Sequence, residues 1–60
     1  MSESIPKDPM MLMSFINMKL RDEYPNLEEL CKSLQIDPGW LIDQLRKIGM
    51  EYSQEENKFW

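Results

Sequence analysis

Cys31 is the one thiol in this chain of 60 residues, and the sequence holds no histidine. Those two facts remove the commonest apparatus of small-domain chemistry. Zinc ligand sets, histidine general bases and Ser–His or Cys–His nucleophile pairs all need residues that are missing. A lone cysteine cannot close an internal disulfide, which excludes a stapled secreted scaffold. The carboxylates that stand side by side, Glu28-Glu29 and Glu55-Glu56, are too isolated to hold a metal. The first pair has a simpler role at a helix N-terminus. Cys31 itself falls on an apolar stripe, where a small buried residue is expected rather than a reactive thiol. No convergent acid–base pair or nucleophile constellation is visible, so the expectation is a chain without catalytic activity, cofactor or metal.

The remaining candidates are suited to contact rather than reaction. Met11, Met13 and Met18 lie in the apolar run Met10 to Leu20, and methionine is an adaptable side chain that recurs at binding surfaces. Asn17 and Arg21, with Ser14, line a narrow polar strip on the same segment. That strip is either simply solvated or makes specific contacts to a partner. Trp40 flanks an apolar stripe with Gln44 and Lys47 on its side. It is a core or core-rim residue, or an interface anchor if exposed. Trp60 either closes over the first helix or is free.

Three capped helices must position these residues. Asp8-Pro9 and Asp37-Pro38 each set an acceptor before a proline at the first helical position, where the missing N–H is no loss. Asn26 followed by Glu29 reads as a capping box. Pro25 closes the preceding helix, and Gly49 supplies a left-handed terminator. The helices therefore run over about 9–23, 27–34 and 38–48. Leu27, Leu30, Cys31 and Leu34 form a single buried stripe, Leu41, Leu45 and Ile48 another, and Ile36 staples onto Leu41. Residues 1–7 read as a short disordered lead, and 8–60 as one domain. After Gly49 the period changes. Met50 and Tyr52 alternate with polar residues, and Asn57 tolerates a left-handed turn. This predicts a hairpin of about 50–53 with 58–60, in which a four-residue loop pairs Tyr52 with Phe59. The fold class is mainly α: a tri-helical, helix-turn-helix-like domain with a small C-terminal β-hairpin, resembling a winged helix.

Residues 30–49 resemble the helix-turn-helix pattern. Cys31 is the small residue where the two helices cross, and Ile36 is the apolar residue of the turn. Gln35 departs from it by occupying the usual glycine position, where a left-handed side chain costs of order 1 kcal/mol. For DNA binding the pattern is poorly dressed. The contacts available are Gln44, Arg46, Lys47 and Lys58, against Asp37, Asp43, Glu51, Glu55 and Glu56. Carboxylates near phosphates oppose the counterion release that drives such binding. A net charge of −4, from 11 acids and 7 bases, points the same way. Nucleic acid is thus the weaker alternative, in the form of a winged-helix transcription regulator.

Membranes and export are also disfavoured. Met1 to Pro9 carries acids and two prolines unlike a secretory leader, and the run after it is too short and too interrupted to span a bilayer. A cytoplasmic setting is expected. The first helix is the odd element, because Met11, Leu12, Met13, Phe15, Ile16, Met18 and Leu20 cover more than half of its circumference, wider than the usual buried stripe. One reading buries the whole arc beneath the other helices and the hairpin. The other leaves Met11, Met13 and Met18 outside for a protein partner or a second copy.

The run from Ile5-Pro6-Lys7-Asp8-Pro9 through Ser14-Phe15-Ile16-Asn17-Met18-Lys19-Leu20-Arg21-Asp22 resembles the opening of a family of short bacterial proteins described as a domain of unknown function. The likeness continues through Leu27-Glu28-Glu29-Leu30-Cys31, Gly49, Glu51-Tyr52 and Asn57-Lys58-Phe59. It implies a stand-alone bacterial protein and supplies no activity or site residue. The residues themselves favour a protein-interaction or regulatory module, possible as a homodimer through the first helix.

Overall fold

The structure, a computed structural model, describes residues 5–60. Helix α1 spans Pro9–Asp22, α2 Leu27–Leu34 and α3 Pro38–Arg46. Strands β1 (Tyr52–Ser53) and β2 (Lys58–Phe59) follow as an antiparallel hairpin. Each helix starts where its cap requires. The Asp8 carboxylate accepts the Met11 N–H, the Asn26 side chain that of Glu29, and the Asp37 carboxylate that of Gly39. Each satisfies an N–H that no helical carbonyl can reach.

The helix ends are equally specific. Gln35 closes α2 in the left-handed region at φ 57°, and the Ile36 N–H returns to the Cys31 carbonyl at 2.9 Å. The strain expected of a non-glycine there is present. Helix α3 is shorter than the apolar pattern predicts, because residues 47–49 form a turn. Gly49 takes φ 78°, and the Gly49 and Met50 N–H groups return to the Arg46 and Leu45 carbonyls. Two-bond closure of this kind spends the last helical carbonyls before the chain enters the hairpin. The register is the one the turn chemistry predicts: Tyr52 opposite Phe59, Ser53 opposite Lys58, and Asn57 left-handed at φ 53°.

Among the described residues, ten apolar side chains form the core: Leu12, Ile16 and Leu20 from α1, Leu27, Leu30 and Cys31 from α2, Ile36 from the turn, Leu41 and Leu45 from α3, and Phe59 from β2. Helix α1 packs against α2, α3 and β2. That central position requires a broad buried face, but not the whole apolar arc. Lys19 is buried as well, at 7 % exposure. Its ammonium holds Glu23 at 2.7 Å and lies 5.6 Å from the centre of the Phe15 ring. A lysine stem packs like a hydrocarbon while its head finds a partner, so Lys19 extends the core stripe that it interrupts on paper. Of the lead expected over residues 1–7, residues 1–4 lie outside the described residues. Ile5 is half-buried and packs against the core.

Two asparagines fix the hairpin to the helices. Asn17 Oδ1 accepts the Phe59 N–H at 2.8 Å, and its Nδ2 donates to the Phe59 carbonyl at 3.0 Å and to Met13 Sδ at 3.3 Å. Asn57 Nδ2 donates to the Leu20 and Tyr24 carbonyls, both at 3.1 Å. The Tyr52 hydroxyl donates to Asn57 Oδ1 at 2.8 Å and accepts the Leu27 N–H at 3.2 Å. One hairpin turn thereby closes the end of α1 and the start of α2 together.

Candidate interaction surface

The candidate residues do not converge on one place. Met11 and Met18 lie on the side of α1 away from the core, 63 % and 43 % exposed, with Ser14 and Arg21 beside them. Met13 does not join them. It is half-buried and packs against the core, because its position on the helix turns it toward β2, where Asn17 holds its sulfur. Asn17 is committed to the fold, since its carbonyl oxygen accepts the Phe59 N–H and its amide nitrogen donates to the Phe59 carbonyl and to Met13 Sδ. The polar strip that looks solvated in the sequence is therefore in part a structural clamp.

Between α1 and the hairpin runs a groove of about 400 Å³, floored by Met13 and Asn17 and bordered by Met18, Arg21, Glu56 and Lys58. No residue of α3 lines it. Arg21 stands exposed and grips its neighbour Asp22, Nε to Oδ1 at 2.9 Å and Nη2 to Oδ2 at 3.1 Å. That pairing holds the Asp22 carboxyl below its ordinary range, chiefly through the hydrogen bond. Lys58 turns its ammonium over the Trp60 ring, 5.1 Å from the centroid. Trp60 is exposed, so it does not close over α1.

Trp40 belongs to a different region. It is 38 % exposed and lines a depression of about 240 Å³ with Ile5, Lys7, Gln35, Ile36 and Asp37. Of the residues considered for nucleic acid in α3 and the turn after it, Arg46 and Lys47 are exposed and Gln44 is half-buried, while Lys58 lies on the α1 side of the hairpin. The four thus divide between two parts of the fold.

Cys31 is buried in the core cluster. Burial first, and the carboxylate of Asp37 second, push its thiol above the ordinary value. Among the described residues no group of three or more histidine, cysteine, aspartate or glutamate side chains is placed to hold a metal ion. No helix there is long and apolar enough to cross a membrane.

One exposed methionine of α1 was passed over in the sequence. Met10 is 58 % exposed and adds a third methionine to the outside of α1. Its signal was available: it sits in the first turn behind Pro9, before the buried stripe begins at Leu12.

A family model described as a domain of unknown function, DUF4250, matches residues 6–59. The chain belongs to this family. The match takes in all three helices and both strands, so the family and the fold described above are coextensive. No curated protein and no solved structure matches the chain.

Proposed function

We propose that this chain is a non-catalytic protein-interaction module of the bacterial cytoplasm, and that its contact face is the outward side of α1. The observation carrying the proposal is the exposure of Met11 and Met18 on a helix whose other face is fully used by the core. A chain of this size buries only about 60 % of its unfolded surface. Scattered apolar exposure is ordinary, but large apolar side chains grouped along one helix mark a contact surface. Methionine also suits the task, since its unbranched thioether adapts to a partner's shape. A buried, unpaired Cys31 accords with a reducing compartment.

The test is capture from lysate by the immobilised full chain, compared with its Met11→Glu and Met18→Glu variants. Both side chains project away from the core, so the variants are expected to keep the wild-type circular dichroism spectrum and melting curve. A protein retained by the wild type and lost by both variants supports the reading. Equal retention by the folded variants overturns it, as does a strict monomer that captures nothing.

A further inference from the structure

The two edges of the hairpin are finished differently. On the β2 edge the outward N–H and carbonyl of Phe59 bond to Asn17. On the β1 edge the residue opposite, Tyr52, turns the same two groups outward, because the reciprocal bonds lie one step along, between Glu51 and Trp60. Among the described residues no third strand joins that edge, and the hydrogen bonds of Tyr52 beyond the hairpin ladder run through its hydroxyl alone.

An edge left in this state is a template for another extended chain. Two depressions flank it and meet at Tyr52 and Gln54, which line both. One, of about 360 Å³, lies toward the helices and is lined by Leu27, Pro38 and Glu28. The other, of about 730 Å³, is lined by Gly49, Glu51, Glu55 and Trp60. It belongs to the outer face, where strand alternation puts Glu51. Three carboxylates thus border the edge, and no lysine or arginine lines either depression. Lys58, on β2, sits over the Trp60 ring and borders the groove on the α1 side instead.

We infer that β1 takes up an extended segment of a partner protein as a third strand, and that this segment alternates apolar and basic side chains. In strand addition the main chain supplies binding, and pockets beside the edge select alternate side chains. A guest bonded to Tyr52 sends successive side chains to opposite faces. Those on the helix side meet Leu27 and Pro38. Those on the outer side meet Glu51, Glu55 and the exposed ring of Trp60, a combination suited to an ammonium or guanidinium. A second copy of β1 would add its own carboxylates to an edge that is already acidic. This surface is separate from the outward face of α1 and does not depend on it. Since β1 is only two residues long, the guest gains few main-chain bonds, and its binding is weak and salt-sensitive.

Titration of the isotope-labelled full chain with synthetic peptides, followed by amide NMR, tests this. The probes are a hexapeptide alternating valine and lysine, its valine–glutamate counterpart, and the valine–lysine peptide N-methylated at every residue. Methylation keeps the charges and removes the main-chain donors. The valine–lysine peptide is expected to shift the Tyr52 amide most. Glu51 and Glu55 are exposed, and Glu51→Gln and Glu55→Gln each weaken its binding about twofold to fivefold. Met11→Glu leaves it unchanged. The methylated peptide binds about fivefold more weakly or worse, and the valine–glutamate peptide does not bind. No saturable shift with the valine–lysine peptide at millimolar concentration overturns the proposal. So does equal binding of the methylated peptide, which would mean charge attraction alone, and so do shifts that fall on α1 and spare β1. A Tyr52 amide that moves with the concentration of the chain by itself puts a second copy on the edge, and overturns it as well.

Discussion

The carboxamide of Asn17 holds both main-chain groups of Phe59, accepting its N–H at 2.8 Å and donating to its carbonyl at 3.0 Å. In an antiparallel pair, alternate residues turn their N–H and C=O away from the partner strand. Tyr52 and Phe59 are such a pair, since the reciprocal bonds lie one step along, between Glu51 and Trp60. The outward groups of Phe59 would therefore be unpaired at the sheet edge, and the side chain of Asn17 takes the place of a third strand.

Asn17→Ala is expected to cost ~1–3 kcal/mol, because it orphans both groups beside a buried ring. Urea denaturation followed by circular dichroism measures it. Asn17→Asp separates the two bonds. It keeps the acceptor but sets a carboxylate against the Phe59 carbonyl, and protonation restores the donor. The variant should regain stability relative to wild type as the pH falls through the carboxyl range. A deficit that does not change with pH would show that the donated bond is unimportant.

Tyr52→Phe tests the link between the hairpin and the α1–α2 corner. It preserves the ring that lies 5.4 Å from Phe59 and removes only the hydroxyl. The Leu27 N–H and Asn57 Oδ1 then lose a shared partner, at a cost of ~1–2 kcal/mol. Asn57→Gly retains the left-handed turn while deleting the amide. The two substitutions together should cost less than the sum of their separate effects, since each breaks the same relay. Strict additivity in a denaturation cycle would contradict a relay.

Gln35→Gly should stabilise the domain. The left-handed conformation at φ 57° costs a side chain about 1 kcal/mol, and the flexibility that glycine adds to the unfolded chain returns part of that gain. A net increase of ~0.5 kcal/mol is expected in the unfolding free energy. A decrease would mean that the Gln35 side chain contributes more than its backbone strain costs.

Cys31 sets a limit at alkaline pH. Its folded pKa is raised by burial, so the folded chain holds the thiol proton more tightly than the unfolded chain does. Stability from this group is complete below the unfolded thiol pKa of about 8.5 and declines above it as the unfolded state ionises. Cys31→Ser should flatten that decline while lowering stability at neutral pH. Native-state alkylation of Cys31 should be slow and should accelerate with urea.

What was legible in the sequence is what depends on near neighbours. Asp8, Asn26 and Asp37 cap helices through atoms two or three residues on, Gly49 and Asn57 are turn residues by conformational preference, and the Tyr52–Phe59 register follows from loop length. What was not legible depends on tertiary placement. Asn17 looks like a solvated residue on a helix, and nothing local reveals that Phe59 will need its amide. Asn57 reads as a turn residue, but its side chain bonds to Leu20 and Tyr24 are invisible until the hairpin folds back. Lys19 reads as an interruption for the same reason. The exposed face of α1 was half legible: the breadth of its apolar arc signalled surplus, but which methionines were surplus depended on where β2 would lie. That sorted Met13 inward and Met11 and Met18 outward.

The clamp between Asn17 and Phe59 joins positions 42 residues apart. Helices form from local contacts quickly, whereas contacts between distant segments must wait for the intervening chain. A ribosome makes α1 first, yet its asparagine meets its partner only after the second hairpin strand has emerged. Until then the apolar side of α1 lacks the ring that covers it, and the nascent helix is exposed to whatever else binds such a surface. Completion of this domain is thus timed by its last strand, and any factor that attends its synthesis meets an unfinished first helix.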